Sequence, residues 1–309
     1  MTVNVTEMPP DSLWMTLLGT RVEFLGNQYR TRVIENGEGH PLVLVHGNGG
    51  HAESYARNVK RLGDAGHRAM AIDLLWHGLS SKPAFDPDMV PAYARQILDL
   101  LDAEGIERAH MEGESLGGWI CLWLALHHPD RVGKIILNTT AGIRWKPGSV
   151  GEDVAGGREA LRARSLDALQ NPSKEKVRRR LEWLVSDPAS VTDELVELRY
   201  FMMTDPAGRE AQLRIADNSF GFGSGTRAEI DEARLADVAA ETLVLWTEHN
   251  PGHGPDTGHR IAELIPRAQF RLIGDAAHWP QWEQPVEHDR IVIAFLRGTL
   301  GNAAKEQDT

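Results

Sequence analysis

The sequence predicts an α/β protein whose mostly parallel, eight-stranded sheet is covered by helices on both faces. The first observation is that short, continuous apolar runs alternate with longer segments of helical spacing, as expected for buried parallel strands. The second is that this alternation stops between residues 144 and 233, where consecutive segments have helical character. We therefore predict a helical lid (residues 144–233), inserted after the sixth strand between two parts of one core (residues 1–143 and 234–309).

The strands of the first part are predicted from their apolar runs and from the turns between them. "TRVEFLGN" and "YRTRVIENG" are joined by "GNQ", which is typical of a hairpin. Further strand-like runs follow, and the helical segments between them end at a glycine or before Pro129. These runs are "PLVLVHG", "HRAMAID", "RAHMEGES" and "VGKIILNTT".

The lid and the second part of the core are predicted in the same way. The lid segments, interrupted by "NP" and "DP", are "REALRARSLDALQ", "SKEKVRRRLEWLVS", "TDELVELRYFMMT" and "GREAQLRIADNS". We interpret the basic run at residues 174–180 as the solvent-facing side of its helix, and "GFGSG" (residues 221–225) as a flexible joint. The core then resumes with "ETLVLWTE", "GHRIAELIP", "AQFRLIG" and "PVEHDRIVIAFLRG".

The composition excludes several classes of protein. A net charge of −11 over 309 residues gives no general attraction to nucleic acid or to an anionic membrane. Cys121 is the single cysteine, so an internal disulfide is impossible, and its apolar surroundings predict a buried side chain. We see no signal peptide and no apolar run of 18 residues, so we expect a soluble, cytoplasmic protein. The sequence shows no metal-ligand spacing and no phosphate-binding loop, so we expect no metal and no cofactor.

"GESLG" at residues 113–117 lies between a predicted strand and a predicted helix. A nucleophile on a tight strand-to-helix turn needs small neighbours, because the backbones pack closely there. Ser115 would then project at the carboxyl edge of the sheet, where the free N–H groups at the start of the helix face the reacting oxygen. We predict that Ser115 is a catalytic nucleophile, and the alternative is a structural glycine-rich turn.

"HGNGG" at residues 46–50 follows the buried strand "PLVLV". A glycine-rich turn at this place can present a backbone N–H group to an oxyanion. We predict that the N–H groups of Asn48 and of Leu116, the residue after the nucleophile, form this oxyanion hole. A plain connecting loop is the alternative.

"GDAAHWPQWEQP" at residues 274–285 supplies the candidate general base. His278 follows a predicted strand and precedes a helix near the end of the chain. The chain has 13 histidines, so His278 is selected by its order after the serine and by its position in this loop.

Together these segments resemble the α/β-hydrolase family, and the resemblance covers nearly the whole chain. Within the family, the sequence is most similar to the meta-cleavage product hydrolases, which cut carbon–carbon bonds in vinylogous 1,5-diketones. The similarity rests on Trp279 directly after the base histidine, on the helical lid and on Arg199 in "TDELVELRY". It implies the α/β-hydrolase fold, with serine, acid and histidine in that chain order.

The chain departs from that group at two chemically important positions. Glu114 precedes the serine where the group has Asn, and Asn250 stands where the group has Asp. An acid at this position orients the imidazole and stabilises its charged form, which an amide does only in part. Three interpretations remain open: Asn250 serves as a neutral partner of His278, Glu248 substitutes for it, or Asp256 or another carboxylate reaches in.

The resemblance also implies two substrate-binding residues. Arg199 would hold a substrate carboxylate through paired hydrogen bonds, and the alternative is an intra-lid salt bridge with Glu194 or Glu197. Trp279 and Trp282 would wall an apolar pocket, or else they fill the core.

The predicted function is therefore a serine-dependent hydrolysis. The favoured reaction cleaves a carbon–carbon bond in a 2-hydroxy-6-oxo-dienoate from the degradation of aromatic compounds. A carboxylesterase or lactonase with the same residues is the second hypothesis, and a ligand-binding protein with a defective triad is the third. The expected partner is a small apolar molecule with a carboxylate, and a homodimer is compatible with this interpretation.

Overall fold

The computed structural model describes residues 12–150, 157–220 and 228–301. These residues contain ten strands, eight of which form one sheet. The strands are β1 (Arg21–Leu25), β2 (Thr31–Asn36), β3 (His40–Val45), β4 (His67–Ile72), β5 (Ala109–Glu114), β6 (Val132–Asn138), β7 (Ile143–Arg144), β8 (Ile230–Asp231), β9 (Thr242–Thr247) and β10 (Ala268–Ile273).

The large sheet has the strand order β1-β2-β4-β3-β5-β6-β9-β10. β2 runs antiparallel to β1 and to β4, and every other pair in the sheet is parallel. The predicted mostly parallel, eight-stranded sheet is therefore confirmed. Because β3, β5, β9 and β10 point the same way, the loops that follow them meet at one edge of the sheet.

Helices pack on both faces of the sheet. One buried cluster joins the sheet to α3 (Met89–Ala103), α4 (Leu116–His127) and α9 (Pro255–Leu264). The cluster on the opposite face joins it to α2 (Val59–Asp64) and α11 (Pro285–Leu296). A strand covered on both sides has no solvent-facing residues, which is why the core strands read as continuous apolar runs. Two short helices, α1 (Leu13–Thr16) and α10 (Pro280–Glu283), lie outside this arrangement.

The segment that the sequence analysis names the lid contains, in its described residues, four α-helices, which follow β6 and the short strand β7. Its helices are α5 (Gly157–Gln170), α6 (Lys174–Glu182), α7 (Asp193–Met203) and α8 (Pro206–Phe220). Ser173 and Thr192 begin α6 and α7 by accepting hydrogen bonds from backbone N–H groups of the first turn. The lid packs on the core through a buried cluster that includes Trp279 and Trp282. The predicted joint at residues 221–225 lies outside the described residues.

The basic run at residues 174–180 does not lie wholly on the solvent-facing side of α6. Arg179 is exposed, but Arg180 is only 6% exposed and points into the protein. The prediction of a solvated face is therefore wrong for Arg180. Successive residues of an α-helix are separated by about 100° around its axis, so three consecutive arginines cannot all face the solvent.

Two predictions made from composition can be compared with the structure. Cys121 is fully buried in α4, which confirms the expectation, and burial raises the pKa of its thiol. Among the helices of the described ranges, none combines the length and the apolar character that a membrane crossing requires.

A buried ionic network lies beneath the sheet edge. The Nε2 atom of His288 is 2.9 Å from a Glu112 oxygen, and its Nδ1 atom is 2.9 Å from an Asp289 oxygen. Burial opposes a charge on this ring, but the two carboxylates outweigh it and raise the pKa of His288 to about 9. Glu112 lies on β5, two residues before Glu114, so the network supports the strand that leads into the serine turn.

We expect this network to make stability depend on pH. A raised pKa in the folded state contributes stability that is fully present below the unfolded value near 6.5 and is lost as the pH rises through about 9. The loss should be on the order of 3 kcal/mol, at about 1.4 kcal/mol per unit of pKa. Urea unfolding between pH 6 and 10 measures it, with His288→Gln as the comparison. An equally steep pH dependence in that variant would contradict the assignment.

Candidate active site

Ser115 lies at the turn between β5 and α4 and has an unusual backbone conformation. Its φ is +52° and its ψ is −111°, a region that residues other than glycine rarely occupy. The turn is fixed on both sides, because the Ser115 N–H donates to the Asn138 carbonyl (3.0 Å) and the Ser115 carbonyl accepts from the Ala141 N–H (3.1 Å). The surrounding structure thus holds Ser115 at the carboxyl edge of the sheet.

The glycines of "GESLG" are required by close packing. A Cβ atom on Gly113 would lie 2.2 Å from the Gly117 carbonyl carbon, and one on Gly117 would lie 2.1 Å from the Val45 carbonyl oxygen. The helix α4 therefore begins in direct backbone contact with β3 and β5. This contact points the start of α4 toward the space in front of Ser115.

The loop after β3 lies beside this turn and leaves backbone donors available. The Gly47 N–H donates to the Glu114 carboxylate (2.7 Å), and the Gly49 N–H donates to His77 (3.3 Å). By contrast, the N–H groups of Asn48 and Leu116 donate to no acceptor among the described residues. These two donors are the ones that the sequence predicts for an oxyanion hole.

His278 is held in its loop by contacts from three directions. Its N–H donates to the Leu184 carbonyl of the lid (2.8 Å), and its carbonyl accepts from the Thr139 hydroxyl (2.9 Å). Glu283 accepts hydrogen bonds from the N–H groups of Ala277 and Trp279, on either side of the histidine, at 3.0 Å. The ring position is thus set by core and lid together.

The His278 ring lies between two oxygen atoms. Its Nδ1 atom is 2.7 Å from Asn250 Oδ1, and its Nε2 atom is 3.2 Å from Glu114 Oε1. The Asn250 amide is oriented by its own Nδ2, which donates to the His253 carbonyl (2.8 Å). Within the described residues, no hydrogen bond joins the Ser115 hydroxyl to His278, although both side chains line one cavity.

The structure distinguishes the three interpretations of the acid position. Asn250 contacts His278, whereas Glu248 is 52% exposed and faces His249 (3.7 Å) and the Asp275 N–H (3.5 Å). Asp256 lies exposed in the first turn of α9. Of the three residues, Asn250 is the one placed beside the ring nitrogen.

Glu114 is the residue that sequence reasoning did not assign to the site. It was noticeable in the sequence only as an acidic residue directly before the serine. The structure shows its side chain buried, with one oxygen on Gly47 and the other on His278.

A cavity of about 810 Å³, including its open mouth, lies in front of Ser115, Asn250 and His278. Apolar and aromatic side chains dominate the rest of its wall: Trp119, Ile143, Trp145, Leu161, Trp183 and Trp246. Such a lining fits a largely apolar ligand with a reactive polar group near the serine.

A second, narrower cavity of about 360 Å³ lies between the lid and the loop after β3. Arg180 and Arg199 both line it. Arg180 donates to the Asn48 carbonyl (2.9 Å) and to the Ser165 hydroxyl (2.9 Å), and Arg199 donates to the Gly49 carbonyl. The Nε and Nη2 atoms of Arg199 are buried and have no hydrogen-bond partner in the described part of the chain.

Both arginines are cations without an adjacent carboxylate. No ion pair within 4.0 Å joins either of them to an acidic residue of the described ranges. Burial lowers the pKa of Arg180 to about 10. Burial and, after it, the charge of Arg180 lower the pKa of Arg199 to about 9. A buried cation of this kind is stabilised strongly by an incoming anion.

The alternative predicted for Arg199, an intra-lid salt bridge, is not formed. Glu194 accepts from the N–H groups at the start of α1, and Glu197 pairs with Lys174. Trp279, which the resemblance implies as a wall of the substrate pocket, lines neither the cavity at Ser115 nor the cavity at Arg199. It is 4% exposed, packs against Trp282, and lies with its ring 5.5 Å from the Arg199 guanidinium carbon.

The fold is that of a known family. Residues 40–285 match the family described as alpha/beta hydrolase fold, and the chain belongs to that family. It is 31% identical to the 2-hydroxy-6-oxo-6-phenylhexa-2,4-dienoate hydrolase of Comamonas testosteroni, over 85% of this chain and 90% of the relative. It is 30% identical to a 2-hydroxymuconate semialdehyde hydrolase of Pseudomonas putida, over 89% and 93% of the two chains.

Solved structures agree with these sequence relatives. A meta-cleavage product hydrolase from Pseudomonas fluorescens IP01 superposes with a TM-score of 0.73 at 26% identity, covering 90% of this chain and 97% of that chain. The predicted resemblance to meta-cleavage product hydrolases, the fold and the assignment as a hydrolase are therefore confirmed.

We expect the serine turn to tolerate no side chain at Gly117. Gly117→Ala would place a methyl group against the Val45 carbonyl, and overpacking of this kind costs about 1–3 kcal/mol. The free energy of unfolding and the turnover of an ester should both fall. Gly274→Ala in the His278 loop is the control, because its nearest contact would be 3.7 Å away. Equal stability of the two variants would contradict the packing argument.

Proposed function

We propose that the protein hydrolyses a carbon–carbon bond in a 2-hydroxy-6-oxo-dienoate. The observation that carries the proposal is the combination of an apolar cavity at Ser115 with two buried arginines beside the oxyanion loop. Relatives that match most of the chain are named for 2-hydroxy-6-oxo-dienoates, and their substrates are small molecules. Such a substrate carries a carboxylate at one end, which matches the two arginines. Its ketone lies further along the chain, which matches the cavity at Ser115.

Ser115 is the proposed nucleophile and His278 the proton carrier. In the keto form of the substrate, Ser115 Oγ bonds to the C6 carbonyl carbon while its proton passes to His278 Nε2. The N–H groups of Asn48 and Leu116 hold the resulting oxyanion. The C5–C6 bond then breaks, and its electron pair moves through the conjugated chain to the oxygen on C2. Water finally hydrolyses the acyl group on Ser115 and releases a carboxylic acid.

Arg199 and Arg180 are the proposed binding residues for the substrate carboxylate. The unpaired Nε and Nη2 atoms of Arg199 present the paired donors that a carboxylate accepts. Arg180 lines the same cavity and adds a second positive charge. The Arg199 guanidinium lies over the ring of Trp279. We expect Trp279 to affect substrate binding only through this contact.

Ser115→Ala tests the nucleophile. We expect kcat to fall by roughly 10⁴-fold or more, because no other group in the cavity replaces the covalent step. The measurement is the loss of dienolate absorbance under saturating substrate, with circular dichroism to show that the fold survives. Turnover close to that of the unchanged protein would rule out the mechanism and favour a ligand-binding protein on this fold.

Arg199→Ala and Arg180→Ala test whether the two arginines bind the substrate carboxylate. Each variant should raise KM for a dienoate by about 10- to 100-fold, the range expected for hydrogen bonds to a charged group. KM for a neutral p-nitrophenyl ester should change far less. Arg179→Ala is the matched control, since that neighbouring arginine of α6 is exposed. Equal losses on acidic and neutral substrates would instead assign both arginines to the structure of the lid.

The carboxylesterase or lactonase hypothesis uses the same serine, histidine and oxyanion donors. Chromogenic esters and dienoates should therefore be compared on one preparation. We expect kcat/KM for a dienoate to exceed that for a neutral ester, because only the dienoate places an anion against Arg180 and Arg199. A clear preference for neutral esters would favour the esterase.

A further inference from the structure

The carboxylate of Glu114 contacts the ring nitrogen of His278 that does not contact Asn250. Its Oε1 lies 3.2 Å from this Nε2 atom, and its Oε2 accepts from the Gly47 N–H at 2.7 Å. A Cβ on Gly47 would lie 2.2 Å from this carboxylate, so the glycine permits the contact. The side chain of Glu114 is 3% exposed. A buried carboxylate in this position has a chemical consequence for the ring.

The contacts of the His278 ring place an oxygen atom beside each of its two nitrogens. Asn250 Oδ1 faces Nδ1, and the Asn250 amide is fixed in that orientation by its bond to the His253 carbonyl. A neutral imidazole has a single N–H group and satisfies one acceptor oxygen only. A protonated ring, which has an N–H group on each nitrogen, is the form that both neighbouring oxygen atoms stabilise.

We propose that Glu114 supplies to His278, from the Nε2 side, the negative charge that Asn250 lacks on the Nδ1 side. A hydrolase of this kind needs that charge when the ring becomes imidazolium in the transition state. Asn250 retains the orienting part of the acid's role, and Glu114 provides the electrostatic part. Because it acts through His278, Glu114 is a positioning residue. The proposal rests on the proposed function in one respect, that Ser115 and His278 react.

His278 is the ionisable side chain nearest to the Glu114 carboxylate among the described residues that surround it. Arg180 and Arg199 face it from the lid, and Tyr55 faces it from the short 3-10 helix after β3. Neither arginine lies within 4.0 Å of the carboxylate, whereas His278 and the Gly47 N–H do. Glu114 also opposes the lowering of the pKa of both arginines, so it helps to keep them charged.

The proton on Nε2 of the charged ring has a defined path in the proposed reaction. When a dienolate binds, the proton on Nε2 passes to C5 of the substrate and forms a C–H bond, which converts the dienolate to its keto form. The ring is then neutral, and Nε2 accepts the Ser115 hydroxyl proton as Oγ bonds to C6. The imidazolium formed in this step again faces the Glu114 carboxylate.

The proposal is tested by removing the carboxylate on the Nε2 side of His278 and introducing one on the Nδ1 side. Four forms are compared: the unchanged protein, Glu114→Gln, Asn250→Asp and the double variant. Glu114→Gln should lower kcat by about 10²- to 10⁴-fold, as expected for a histidine without a charged partner. The double variant, which places one carboxylate on the Nδ1 side, should recover to within about 10-fold of the unchanged protein.

The pH profile separates an electrostatic role from a structural one. A neighbouring carboxylate favours the protonated ring, so the acidic limb of kcat/KM should move to lower pH in Glu114→Gln. In Asn250→Asp, where two carboxylates flank the ring, it should move to higher pH. The control is Glu248→Gln, which removes a nearby exposed carboxylate and should change neither rate nor profile.

Each outcome decides the proposal. A double variant that is folded and no more active than Glu114→Gln overturns it, as does a Glu114→Gln variant with nearly full activity. If Glu114→Gln does not fold, ¹⁵N NMR of the histidine rings in the unchanged protein decides, because a neutral His278 with no proton shared toward Glu114 contradicts the account. All forms are assayed on an ester as well as a dienoate. Failure to cleave dienoates then counts against the proposed function alone.

Discussion

The backbone of Ser115 is the constraint on which the rest of the site depends. A non-glycine residue at a φ of +52° persists only where neighbouring structure fixes it, and here β3, β5 and β6 do so. The same turn sets the start of α4, whose first residue is Leu116. It also turns Glu114, the preceding residue, toward the loop after β3. The positions of Ser115, of the Leu116 N–H group and of Glu114 thus follow from one constrained backbone turn.

The core and the lid contribute opposite charges to the region around the loop after β3. The core supplies Glu114, and the lid supplies Arg180 and Arg199, whose side chains reach the carbonyls of Asn48 and Gly49. Burying these cations is unfavourable without an anion, which is the reason that we propose a carboxylate as their ligand. The apolar cavity in front of Ser115 lies outside this charged region. In the proposed function, one end of the substrate is therefore selected by charge and the other by hydrophobic contact.

Much of the fold and part of the site could be predicted from the sequence, because they depend on local patterns. The alternating elements and the glycines around Ser115 are visible in short segments, and Asn250 and His278 follow from chain order. The burial of Arg180 was missed because a basic run suggests the solvent-facing side of a helix. Helix geometry, however, already places one of three adjacent arginines away from the solvent. Glu114 meets a glycine 67 residues distant, and no local pattern reports such a contact.

Carbon–carbon cleavage through an acyl-enzyme is the central claim, and isotope labelling tests it most directly. The protein is incubated with 2-hydroxy-6-oxo-6-phenylhexa-2,4-dienoate in H₂¹⁸O, and both the products and the acid-quenched protein are examined by mass spectrometry. The account predicts benzoate with one ¹⁸O atom, 2-hydroxypenta-2,4-dienoate, and a transient benzoyl group on the peptide that contains Ser115. A dienoate that remains intact while the same preparation hydrolyses neutral esters would contradict it.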